Sequence, residues 1–483
     1  MRMLWKSVLC FQLCFSVSLA LKAAVYEHVH QGNILTESRD VVILKNLLKY
    51  LEVTRDAAQQ GADIIVFPEG GIMFLANRTV LLNHAEDIPG EGVNPCTLKR
   101  MVSGTPSFPG PGYPILSNLS CMAQEFNMYV VANMIDKKPC LRNECPEDGL
   151  LFYNTNVAFD RTGTLISRYH KNHLFIEPHR VEPNPPEFAV FETDFGRRVG
   201  TFVCFDVIFK EASELVTKFK VDLVVMTTWW FDELPVWFAV AVQQAYSLHH
   251  NITLLAADIQ KPSMGSVGSG IYLGRRGPLL YTSSADGKDK LLVADLDSPV
   301  PDDARYVGDE RAVAQRVFIR ISLTDYVARA LKSATGSASA CHEGFCCSVR
   351  YSAPAMHDKF YLLVKSGTKR IKTLIDLGVQ ECLVTRCEPK DGLPCGQFPV
   401  TSNTSFTSLE VKANFAVPHI FAAVVSDQLA LTPVRHWHFD DSRPTRTRLT
   451  LNVDDPPPEP LLAVGLVARL FHLDKPLSPA PGA

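Results

Sequence analysis

Three short apolar runs in this chain each deliver a residue able to do chemistry. Ile64-Ile65-Val66-Phe67-Pro68 delivers Glu69, the run ending at Tyr169-His170 delivers Lys171, and Val199-Gly200-Thr201-Phe202-Val203 delivers Cys204. Runs of this length bounded by turn residues read as buried strands. An acid, a cation and a thiol at strand ends are the parts of an amide-cleaving thiol enzyme. The thiol attacks, the carboxylate moves the proton and the ammonium stabilises the oxyanion.

The sequence between these runs alternates helix and strand. Val41, Leu44, Leu47, Leu48 and Leu51 recur at helical spacing, and Gly61 stops that helix. A second helix near Leu119 to Phe126 precedes a strand at Met128 to Asn133. Asn156 to Phe159 and Thr164 to Tyr169 flank Asp160-Arg161-Thr162-Gly163, a hairpin signal. After Cys204, Ile208, Ala212, Leu215 and Phe219 line one helix face, and Lys210, Glu211, Glu214 and Lys218 the other. Val221 to Met226 and Ile252 to Ala257 are strands around a helix at Val236 to Leu248. This is an α/β layered fold. With 483 residues, two domains are expected. Residues 21–298 form the catalytic domain, and 299–312, opening on Pro299-Val300-Pro301, form a linker. Strands at Val317 to Ile321, Tyr361 to Val364, Ile420 to Val425 and Leu461 to Leu470 predict a smaller β-rich, disulfide-stapled domain over 313–483.

Arg2 and Lys6 precede the apolar stretch Ser7 to Leu21, and Ser18-Leu19-Ala20 suits cleavage after Ala20. Residues 1–20 therefore read as a signal peptide, too short for a membrane span, and the protein as secreted and extracellular. The tail Leu477 to Ala483 is Pro-rich rather than apolar, against a lipid-anchor signal. Of 13 cysteines, Cys10 and Cys14 leave with the leader and 11 remain. An odd count outside the cell predicts five pairs and one free thiol, which we assign to Cys204. Spacing does not determine connectivity; Cys96 with Cys121 and Cys140 with Cys145 are the pairs expected among the early four. Asn-x-Ser/Thr acceptors occur at Asn77, Asn118, Asn251 and Asn403. Asn251 opens an apolar run, which sets it close to a core strand. Net charge is −3, so there is no electrostatic case for nucleic acid. Nothing in the sequence speaks to oligomeric state.

Each candidate has a bland reading beside the chemical one. Cys204 alone is a buried structural thiol as readily as a nucleophile. The unpaired count and the helix that follows, whose N-terminus favours a thiolate, tip it toward nucleophile. The Phe205 backbone N–H is placed to hold an oxyanion. Glu69 is a polar turn residue or a general base. Lys171 is a solvated lysine or the oxyanion stabiliser. Glu177 is an exposed loop acid or a second carboxylate that orients Lys171. His170, His173 and His179 lie on a strand-to-loop stretch without a matching Cys pair, and Cys346-Cys347 are adjacent, so no metal is expected. Gly265 to Gly270 lacks the lysine of a phosphate loop, and no Gly-x-Ser-x-Gly elbow occurs.

The ordered set Phe67-Pro68-Glu69, His170-Lys171 and Cys204-Phe205-Asp206 resembles the nitrilase superfamily of carbon–nitrogen hydrolases. Ala24-Val25-Tyr26-Glu27-His28, Tyr129 to Asn133, Gly268 to Tyr272 and Gly344-Phe345-Cys346-Cys347 narrow the likeness to its vanin and biotinidase branch. The resemblance covers nearly all of the chain after residue 20. It implies an αββα sandwich, an accessory β domain, a Glu69–Lys171–Cys204 triad and no cofactor. The substrate it implies is a small linear amide, either pantetheine or biocytin. A secreted, non-catalytic binding protein on the same scaffold is the remaining alternative. Two segments depart from the branch. Gly70-Gly71 stands where Asp-Gly is usual, and Met226-Thr227-Thr228-Trp229 where Pro-Thr-Ala-Trp is usual.

Overall fold

The computed structural model describes residues 21–97, 115–300, 305–309, 316–319, 323–442, 446–452 and 459–477. The expected leader lies outside them, as does much of the expected linker. The first unit runs β1 (Lys22–Glu27), α1 (Arg39–Gln59), β2 (Ile64–Val66), α2 (Arg78–His84), α3 (Ile115–Phe126), β3 (Tyr129–Pro139), β4 (Leu150–Phe159) and β5 (Leu165–His170). It continues with β6 (Ala189–Glu192), β7 (Arg198–Val203), α4 (Lys210–Thr217), β8 (Leu223–Thr227), α5 (Ala239–His250), β9 (Thr253–Ala257), β10 (Ser269–Leu273), β11 (Pro278–Thr282), β12 (Lys290–Asp295) and β13 (Arg305–Tyr306).

These strands make two sheets, ordered β12-β1-β2-β3-β4-β5 and β13-β11-β10-β9-β8-β7-β6. β1, β2 and β3 run parallel, as do β7, β8 and β9. Val25, Ile64, Val66 and Val131 of the first sheet pack against Val199, Val225, Leu255 and Ile271 of the second. The runs are apolar throughout because sheets covered on both faces have no wet side. Helices α1 and α3 cover the outer face of one sheet, and α4 and α5 that of the other. The result is the αββα sandwich.

Helix α1 forms where its spacing predicts, but on a rotated face. Val41 and Leu48 are 41% and 45% exposed, while Val42, Asn46, Leu47, Tyr50 and Val53 are buried. Two of these are polar-bearing residues that apolar periodicity does not count. Tyr50 stacks on Phe67 at 3.9 Å, and Asn46 Oδ1 lies 2.7 Å from the ring of buried His28.

The second unit is a β sandwich: β14 (Val327–Ala330), β15 (Thr335–His342), β16 (Phe345–Ser352), β17 (Phe360–Ile371), β18 (Ile375–Arg386), β19 (Glu388–Lys390), β20 (Leu393–Gln397), β21 (Ser408–Ala413), β22 (Ile420–Ser426), β23 (Trp437–Asp440), β24 (Thr447–Asn452), β25 (Leu461–Arg469) and β26 (Lys475–Pro476). Its two main sheets are β14-β17-β18-β25-β22 and β15-β16-β21-β24-β23. The first of them packs on the α5 side of the αββα unit, where Ala423, Val425 and Val467 meet Val236, Trp237 and Tyr246.

The boundary between units differs from expectation. Arg305–Tyr306 is an edge strand of the second sheet, paired with β11, rather than free linker. The strand expected at Val317 to Ile321 is, within its described residues, a single bridge from Ile319 to Glu233. Arg316 is drawn into the first unit by an ion pair with buried Asp232, which a flexible linker would not supply. Five disulfides join Cys96–Cys121, Cys140–Cys145, Cys341–Cys346, Cys347–Cys382 and Cys387–Cys395, and Cys204 is free. Among the glycan acceptors, Asn77, Asn251 and Asn403 are exposed. Asn118 is 1% exposed inside α3, so the folded chain cannot present it. No helix among the described residues is long and apolar enough to cross a membrane.

Candidate active site

Glu69, Lys171 and Cys204 arrive from β2, β5 and β7, and all three are buried, at 6%, 1% and 4% exposure. They sit beyond the carboxyl ends of their strands, where crossover geometry leaves a crevice. Lys171 Nζ donates to Glu69 Oε1 at 2.7 Å and to Glu177 Oε1 at 2.6 Å. Glu177, six residues further on in the loop Leu174 to Pro178, thus holds the ammonium together with Glu69, which lies 102 residues away in the chain. Glu69 Oε2 accepts the Trp229 N–H at 3.1 Å.

Local sequence explains each turn. Gly70 has φ +63°, and a Cβ on Gly71 would fall 2.0 Å from Tyr50 Oη, so only glycine lets the Glu69 loop lie this close to α1. Cys204 has φ +48°, on a sharp strand-to-turn corner. Asp206 clamps that corner by accepting from the Val203 N–H at 3.0 Å, Tyr169 Oη at 2.8 Å and the His173 N–H at 2.9 Å.

Residue-by-residue reading missed the asparagines behind the site. Asn154 Nδ2 donates to both Glu69 Oε1 and Glu177 Oε2, each at 2.6 Å. Asn133 Nδ2 donates to Asn154 Oδ1 at 2.6 Å and to Asn156 Oδ1 at 3.1 Å, and its own Oδ1 accepts the Gly70 N–H at 3.0 Å. Asn156 reaches across to the other sheet, donating to Thr201 Oγ1 at 2.9 Å and accepting from Thr227 Oγ1 at 2.7 Å. The available signal was three polar residues, Asn154-Thr155-Asn156, inside an otherwise apolar strand. Buried amides persist only when fully bonded.

Family models match the two units separately: carbon-nitrogen hydrolase over residues 30–250, and vanin C-terminal domain over 316–474. A pantetheinase of Mus musculus is 31% identical, with 97% of this chain and 92% of that protein covered. A pantetheinase of Canis lupus familiaris is 32% identical over 94% and 90%. A biotinidase of Takifugu rubripes is 31% identical over 88% and 90%. The chain belongs to the vanin and biotinidase branch of the carbon–nitrogen hydrolases. It is a hydrolase of non-peptide carbon–nitrogen bonds, an amidohydrolase.

The electrostatics of this hydrolase correct one expectation. Burial pushes the Cys204 thiol well above its ordinary range, Glu69 adds to the rise, and Lys171 only partly opposes it. Burial and Glu69 both favour the protonated thiol over the thiolate. The helix expected to lower it starts at Lys210, past an intervening 3₁₀ turn at Cys204–Ile208, and a helix end acts only within about one turn. Burial works against the Lys171 ammonium, but Glu177 and Glu69 outweigh it and hold its pKa well above the ordinary value. Burial also opposes the Glu177 carboxylate, yet Lys171 and Arg180 keep it below the usual range.

The remaining candidates take structural places. His170 bridges Asp136 Oδ2 at 2.8 Å and Glu187 Oε1 at 2.9 Å, and His173 meets Glu211 at 3.0 Å. Phe205 lines the cleft in front of Cys204 together with Phe175, Trp230 and Phe231, and the far wall comes from Tyr326 and Lys365 of the C-terminal unit. This apolar, aromatic cleft with a few polar groups suits a small organic amide.

Proposed function

We propose that this hydrolase cleaves pantetheine to pantothenate and cysteamine through a thioester on Cys204. Glu69 takes the Cys204 proton as the sulfur attacks the amide carbon. Lys171, held charged between two carboxylates, stabilises the oxyanion, with the Phe205 N–H as a second donor. Glu69 then gives its proton to the departing amine, and the same carboxylate activates the water that opens the thioester. The observation that carries this reading is the convergence of three sequence-distant reactive groups in one buried site. Pantetheinases among the relatives favour the substrate, and the reading needs no cofactor. Biocytin is the second reading, favoured by a biotinidase relative of equal identity. We further propose a secreted protein cut after Ala20 and glycosylated at Asn77 and Asn403.

The test is hydrolysis of pantetheine and biocytin by the protein and its Cys204→Ala variant. Pantetheine turnover that falls at least ~1,000-fold in the variant is the expected result. Turnover of biocytin alone moves the assignment to the second reading, and activity surviving in the variant removes Cys204 as nucleophile.

A further inference from the structure

In the parallel pair β7–β8, Val203 faces Thr227 at the last paired position. Cys204 and Thr228 are therefore the next residues on neighbouring strands. Thr228 is fully buried, and its backbone N–H donates to the Ala257 carbonyl at 2.8 Å. Its hydroxyl has no hydrogen-bond partner among the described residues. An unpaired buried hydroxyl is destabilising and is rarely retained without a reason. The next N–H along the chain, that of Trp229, is the one that donates to Glu69 Oε2. Thr228 thus lies in the chain between Thr227, the partner of the residue before Cys204, and the amide that binds Glu69. Although it makes no hydrogen bond at rest, the Thr228 hydroxyl, like the Trp229 N–H, is near enough to the Cys204 sulfur to favour its ionised form.

We propose that Thr228 is a catalytic donor whose hydroxyl takes the Cys204 sulfur as its acceptor once the thiol is ionised. The proposal rests on Cys204 being the nucleophile. As the S–H bond breaks, the proton passes to a Glu69 oxygen and the electron pair stays on sulfur. The Thr228 O–H then points at that pair, and no proton leaves Thr228. When the sulfur forms its bond to the amide carbon, the charge moves to the carbonyl oxygen and the Thr228 bond weakens. A neutral thiol gives the hydroxyl only a weak acceptor, so its stabilisation is realised where charge develops.

The test is the rate of iodoacetamide alkylation of Cys204 against pH, in the wild type, Thr228→Val and Thr228→Ser, with kcat/KM for pantetheine measured alongside. Valine keeps the shape and removes the donor; serine keeps the donor. The expected result is an alkylation profile displaced to higher pH in T228V, with an alkylation rate at neutral pH and a kcat/KM each about 10-fold lower. T228S tracks the wild type. Superimposed profiles for wild type and T228V overturn the proposal. Should T228V fail to fold, Thr228→Ala carries the same comparison with a smaller side chain. Alkylation reports on the thiol without any amide substrate. Failure of the pantetheine reading therefore leaves this result standing, and activity in C204A removes both.

Discussion

At the scale of single residues, the charged cluster under the site makes stability depend on pH. Burial works against charge on His170, but Asp136 and Glu187 overcome it and raise its pKa above 6.5. The same bonds lower both carboxylates below their ordinary values of 3.8 and 4.5, against the burial that would raise them. The histidine's share of stability is present below its unfolded pKa and fades as pH rises through the folded one. The carboxylates' share is present above their unfolded values and fades as pH falls. Both operate between about pH 4.5 and 6.5. His170→Asn is expected to lose about 1–3 kcal/mol at pH 6 and less at pH 9, read by urea unfolding at both. An equal loss at both pH values would mean the ring acts by packing alone. Glu69, Lys171 and Cys204 were legible as candidates because each follows a recognisable strand. Asn154 and Asn133 were not, since an amide in a strand carries no sign of the partner it will meet across two sheets.

At the scale of elements, the Glu69 turn shows what limits its conformation. Strand β2 could be read from Ile64 to Val66, but the need for Gly71 comes from α1. Tyr50 is stacked on Phe67 and cannot withdraw from an added methyl group. Gly71→Ala should therefore cost about 1–3 kcal/mol by overpacking and lower kcat by shifting Glu69. Thermal melting and pantetheine turnover check the two effects, and an unchanged Tm would show that the turn has slack. The rotated face of α1 has the same origin. Periodicity counted Val41 and Leu48, yet the sheet selected Asn46 and Tyr50, because His28 and Phe67 offered them partners. The turn after Cys204 likewise read as helix from its apolar spacing. The φ of Cys204 and the Asp206 clamp make it a 3₁₀ corner first.

At the scale of the whole molecule, the C-terminal unit completes the cleft. Lys369 of β17 pairs with Glu233 of the first unit, lies 3.6 Å from Glu381 Oε1 and sits 4.5 Å over the Trp237 ring. Trp237 Nε1 in turn donates to Glu381 at 2.9 Å. Removing the cation strands two buried carboxylates, so Lys369→Met is expected to lose about 3–5 kcal/mol and to raise KM for pantetheine. Urea unfolding and steady-state kinetics test this; a loss under about 1 kcal/mol would mean that water replaces the ammonium. The sequence by itself determined most of the strands, the layered class, the three candidate residues that meet in the cleft and the cysteine left unpaired among the described residues, because hydrophobic period, chain order and cysteine parity are local or countable properties. Only the tertiary structure decided which face of α1 is buried, that Asn118 is sealed, that burial raises the pKa of the Cys204 thiol, and that the second unit walls the cleft. Those depend on which groups from distant segments exclude water around one another, and no segment of the chain carries that information alone.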